Sequence, residues 1–178
     1  MNKIARTAAA LSAAAFTVGL AGPANAELFG IDDPNDSPHG SDLFAASVDH
    51  RAHKLVIETT HDNLRRAPSS GSGGVVFIDT DSEDPGPEYA FVAGFTEGTD
   101  YQLIEVEAFR PETWGEPVEG SYSLDVDYAA DTATFVISRG AIGNPDEVRV
   151  AIRVSGPAFA SRDWLGQAHS FTPWLARG

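Results

Sequence analysis

Two stretches of this chain alternate apolar and polar residues with a period of two, and neither is longer than a strand. Tyr122, Leu124, Val126 and Tyr128 interleave with Ser123, Asp125 and Asp127. Val148, Val150, Ile152 and Val154 interleave with Arg149, Ala151, Arg153 and Ser155. Period two sends alternate side chains to opposite faces of a sheet, so each stretch reads as a strand with one face in a core. Beyond residue 26 no stretch longer than about ten residues carries helical periodicity. Further short apolar runs occupy Asp42–Asp49, Lys54–Thr60, Val75–Asp79, Glu88–Phe95, Asp100–Phe109, Thr132–Ser138 and Phe171–Leu175, with turn residues between them. In Asp100–Phe109 the parity of Gln102, Ile104, Val106 and Ala108 reads as the core side. His50-Arg51-Ala52-His53 suits a tight hairpin between the first two runs, and Pro173 confines the last to an edge. The count is about nine short strands, which predicts an all-β protein: an antiparallel, jelly-roll-like β-sandwich, with a closed barrel as the competing architecture.

The chain divides into three parts. Residues 1–26 begin with Lys3 and Arg6, run through small apolar residues to Leu20, and end in Ala24-Asn25-Ala26. This is the pattern of a secretory signal peptide cleaved after Ala26, and it predicts a secreted product. Residues 27–41 hold Asp32-Asp33-Pro34-Asn35-Asp36 and show no periodicity, so they read as a flexible acidic leader. Residues 42–178 make a single domain, long enough to bury a core. Leu64–Gly74 reads as a polar loop with a linker-like Pro68-to-Gly74 centre, and Arg110–Gly120 as a second long loop. No later stretch is long and apolar enough to span a bilayer.

Cysteine is absent, so no disulfide or thiol nucleophile contributes, and stability must come from packing or from metal. The formal charge of −14 repels nucleic acid and anionic lipid. It suits a divalent cation or a basic protein. Nothing in the sequence fixes an oligomeric state.

Four groupings could carry chemistry. Asp79 and Asp81 are two residues apart, and Glu83, Asp84 and Glu88 follow within one turn. Calcium needs several hard oxygens on a bent loop, so Asp79, Asp81, Glu83 and Asp84 are the candidate metal ligands, with Asp32, Asp33, Asp36 and Asp42 of the leader region as further oxygens. Ala90 at the twelfth position rules out an EF-hand. The plainer alternative is a pair of solvated turns. The second grouping is aromatic. Trp114 sits in a Pro/Gly-containing loop with Arg110, Glu112 and Glu116, where a sugar ring could stack on the indole. Trp114, Arg110 and Glu112 are the candidate ligand-binding set, against the alternative that the ring caps the core. Trp164 and Trp174 read as clamps on the C-terminal segment. The third is His39, His50, His53 and His61, whose spacing fixes no zinc set. The last is catalytic: no G-x-S-x-G occurs, and Gly71-Ser72-Gly73 lies in a loop, so the chain does not read as an enzyme, with a glycoside hydrolase built on an Asp/Glu pair as the residual alternative.

The strand ending Ile78-Asp79-Thr80-Asp81, the turn at Pro85-Gly86 and the aromatic strand Tyr89-Ala90-Phe91 carry a resemblance. A second echo follows at Gly98-Thr99-Asp100-Tyr101. A third is Phe135–Arg139, the break Ile142–Pro145 and Val148–Ala151. Over residues 42–155 the chain resembles the DOMON-like and family 9 carbohydrate-binding-module type of β-sandwich, and also small exported bacterial proteins of unknown role with the same strand plan. The resemblance implies a sandwich that binds a glycan without catalysis and is stabilised by calcium. Some DOMON domains hold haem through Met and His; here the only Met is Met1, which rules out that ligation. The alternative is an envelope-associated or secreted protein-interaction domain with no small-molecule ligand.

Overall fold

A computed structural model describes residues 28–157 and 162–178. The signal-peptide expectation falls on residues 1–26, outside the described residues. The chain forms twelve strands: β1 (Leu28–Asp32), β2 (Leu43–His50), β3 (Lys54–His61), β4 (Gly73–Asp79), β5 (Tyr89–Gly94), β6 (Tyr101–Val106), β7 (Trp114–Pro117), β8 (Tyr122–Asp127), β9 (Thr132–Ser138), β10 (Glu147–Ser155), β11 (Arg162–Trp164) and β12 (Leu175–Ala176). Every pairing is antiparallel. A five-stranded sheet runs β1-β2-β3-β9-β8. A seven-stranded sheet runs β11-β10-β4-β5-β6-β7, with β12 also on β10. Two packed sheets with separate edges make a sandwich, not a closed barrel. Among the described residues no helix is long and apolar enough to cross a membrane.

Alternation builds the core between the sheets. Leu55, Ile57, Phe135 and Ile137 from one sheet meet Val76, Ile78, Phe91, Leu103, Val150 and Ile152 from the other, all essentially without exposure. Phe91 and Phe135 cross the gap edge-to-face at 5.2 Å and 86°. At about 25 cal/mol per Å² of buried apolar surface, such side chains supply the stability that disulfides cannot.

The seven-stranded sheet also has an apolar outer face. Val75, Phe77, Ala90, Ile104, Val106 and Ala151 form a second buried cluster, covered by Phe109, Trp114, Trp164 and Phe171 from loops and edges. This corrects the parity expected for β6. Leu103 faces the inter-sheet core, while Ile104 and Val106 lie beneath the covering loops. Alternation cannot tell the two sides apart when both are apolar.

Eight of the strands fall on expected runs, and the ninth, β12, overlaps the expected Phe171–Leu175 run only at Leu175. The added three, β1, β7 and β11, are short edge strands. The leader is therefore not all coil: Leu28–Asp32 pairs with Ala45–Asp49 of β2. Nor is the Pro68–Gly74 centre slack. Gly74 sits where a Cβ would fall 2.7 Å from the Phe95 ring, and Gly71, at φ +61°, packs on Pro157. The sandwich needs glycine there so that β4 can approach its neighbours.

Candidate functional site

The acidic turn after β4 is the first candidate. Asp79 ends the strand with no solvent exposure, directly across from Arg149 on β10. Its Oδ2 accepts from Arg149 Nε at 2.7 Å and lies 2.6 Å from Nη2. The guanidinium lies 4.6 Å from both the Phe171 and Trp174 ring centroids. Asp79 Oδ1 accepts the Asp81 N–H at 3.3 Å. Burial raises the Asp79 carboxyl above its ordinary range, and Arg149 pulls against that shift. Asp81, Glu83 and Asp84 are exposed. Asp81 Oδ1 accepts the Glu83 N–H at 2.9 Å, which closes an Asx turn. Glu88 Oε2 accepts the Thr80 N–H and hydroxyl at 2.6 and 3.0 Å. The expected metal set of Asp79, Asp81, Glu83 and Asp84 is thus not brought together around an ion. Its one buried carboxylate is neutralised by an arginine, Asp81 shapes the turn, and Glu83 and Asp84 are exposed.

A different acidic group converges at the edge where the leader meets β11. Carboxylate oxygens of Asp33, Asp36 and Asp163 lie within 4.8 Å of one another, and this triad could hold a metal ion. Sequence reasoning named Asp33 and Asp36 as spare oxygens and missed Asp163. Its contact with Leu43, whose N–H it accepts at 2.8 Å, spans 120 positions. Burial pushes the Asp163 carboxyl up to about 6; the Leu43 N–H opposes this, and Asp33, Asp42 and Asp36 add to the rise. Asp33 is raised for the same first reason, with the Gly166 N–H pulling it down.

Trp114 opens β7 and lies half-buried across the second apolar cluster. On one side is a groove of about 410 Å³, lined by Val75, Val92, Pro111, Arg153, Ser155 and Arg162. On the other is a groove of about 380 Å³ reaching Tyr101 and Gln102. Trp114 Nε1 is buried without a partner among the described residues. Arg110 and Glu112 are exposed on the short 3₁₀ turn around Pro111 and line neither groove. The cations at the groove are Arg153 and Arg162 instead. The Arg153 guanidinium lies over Phe77 and Trp164, 5.5 and 5.6 Å from their centroids. Burial lowers its pKa first, then the charge of Arg162. Among the described residues neither arginine forms an ion pair. Sequence spacing could not find this pair, because Arg153 projects outward from the middle of a strand while Arg162 reaches it from an edge.

The histidines do not form a zinc set. His50 and His61 are buried, and their Nδ1–H groups donate to Leu175 and Ser41 carbonyls at 3.0 and 2.9 Å. His53 is exposed. His39 lines a cavity of about 640 Å³, beside Ser37, Asp62, Asn63 and Arg65. Trp164 stacks on Phe77 at 5.9 Å and 14°, and Trp174 covers Arg149, so both rings hold the C-terminal segment onto the sheet. No family model matches the chain, and a search of curated proteins finds no match.

Proposed function

We propose that this chain is an exported, non-catalytic binding module that takes a carbohydrate on the outer face of the seven-stranded sheet, at Trp114. The observation that carries this reading is Trp114 standing between two open grooves, with the guanidinium groups of Arg153 and Arg162, which form no ion pair among the described residues, along one of them. A sugar ring offers a C–H face to an aromatic and hydroxyl or carboxylate oxygens to a guanidinium, so both parts of such a ligand have counterparts here. The resemblance to DOMON-like and family 9 carbohydrate-binding sandwiches supports it, as does the secretion-type pattern of residues 1–26. Arg110 and Glu112, expected beside the ring, drop out of the contact set. Calcium in this reading is a structural ion, and the Asp79 turn is not its seat.

The test is affinity electrophoresis through a panel of neutral and uronate-bearing polysaccharides. Retardation by at least one polymer, lost in Trp114→Ala, supports the reading; free migration through every polymer overturns it. The formal charge of −14 favours a second reading, an interaction domain for a basic protein. That reading predicts a co-purifying partner released by raised salt.

A further inference from the structure

We propose that Asp33, Asp36 and Asp163, with the buried Asp42 beside them, form the seat of a hard divalent cation of the calcium class, which ties the N-terminal segment to strand β11. This goes beyond the glycan reading and stands without it. Oxygens of Asp33, Asp36 and Asp163 within 4.8 Å of one another are spaced as ligands around one ion would be, since calcium–oxygen distances are about 2.3–2.6 Å.

A second observation comes from a neighbouring carboxylate outside that triad. Asp42 has no solvent exposure. Its Oδ1 accepts the Ser37 N–H at 2.7 Å, next to Asp36, and the Leu43 N–H that follows it is held by Asp163. Asp42 is therefore clamped between the Asp36 loop and β11, and its charge falls on both Asp33 and Asp163. Among the described residues its Oδ2 is nonetheless buried with no partner, as is Asp33 Oδ2. Asp33 Oδ1 is held by the Gly166 N–H at 2.6 Å, so the leader is already latched to the C-terminal side.

Buried carboxylates need a counter-charge. The Asp79 carboxylate has Arg149; among the described residues none of these four acids forms an ion pair. A cation is the group this geometry lacks. The donors are all hard oxygens, with no imidazole or thiolate, which favours calcium over zinc or copper. Water would complete the shell.

The experiment measures melting of the full protein in chelator and in millimolar calcium chloride, alongside terbium luminescence sensitised by Trp164, the neighbour of Asp163. The expected result is a rise in Tm of about 5 °C with calcium, and terbium emission that calcium displaces. Asp163→Asn should abolish both responses. Asp36 is exposed, so Asp36→Asn folds regardless and should also weaken both by at least tenfold in calcium concentration. Asp81→Asn should leave both unchanged. A wild-type protein with no calcium-dependent Tm and no sensitised emission overturns the proposal. So does a response that survives in Asp36→Asn and Asp163→Asn.

Discussion

The turn after β4 and the corner between the leader and β11 are both acidic, and they resolve their charge in opposite ways. In the turn the acids are contiguous, Asp79 to Glu88, and the one that is fully buried meets Arg149 across the strand pair. At the corner Asp33, Asp36 and Asp163 converge in space from distant positions, with Asp42 beside them, and among the described residues they pair with no cation. Density of carboxylates in the sequence is therefore a poor guide to where a metal would sit. The better guide is which buried oxygens lack a counter-charge.

The strongest way to break this contrast is Arg149→Ala. It leaves Asp79 buried and uncompensated and also removes the cation under Phe171 and Trp174. We expect a loss of about 3–5 kcal/mol by denaturant unfolding. A loss below about 1 kcal/mol would mean that Arg149 does not neutralise the turn.

A pH measurement probes the other region, because His61 donates to the Ser41 carbonyl next to Asp42. Burial lowers the His61 pKa from its ordinary 6.5 to about 4; the Ser41 carbonyl and Asp131 oppose this, and His39 adds to it. Between those values the unfolded chain takes up the proton more readily than the folded one. The contribution of His61 is therefore complete above pH 6.5 and falls as pH drops towards 4, by about 3 kcal/mol in all. Asp163, with its raised pKa, runs the other way over part of that window, so the comparison is between wild type and His61→Gln. The variant should have a flatter acid limb; parallel limbs would refute the buried neutral ring.

The smallest effect is expected at Asp81→Ala. It removes one exposed Asx contact, and the expected cost is about 0.5–1 kcal/mol in the melt, with no change in calcium response. A lost calcium response there would return the ion to the turn.

How far the sequence could be read follows the same line. β8 and β10 were legible because each has one apolar and one polar parity, and the hairpin at His50–His53 because short polar turns link β-rich runs. β7 holds Gly115 and Pro117, and β11 is three residues long, so neither offers a pattern to read. Ile104 was assigned to the wrong face because Phe109, Trp114 and Trp164 give the sheet a second apolar cover. At the candidate sites, Trp114 was found from its loop, but its cationic neighbours were not. Arg153 and Arg162 are joined by strand pairing, just as Asp163 joins Asp33 only after β11 docks on β10.

The most direct test is a crystal structure of the protein soaked in a lanthanide, read as an anomalous difference map. The account predicts a peak between Asp33, Asp36 and Asp163, within coordination distance of their carboxylates, and none beside Asp79. A peak in the Asp79–Asp84 turn, or no peak at the corner in a well-phased map, would contradict it.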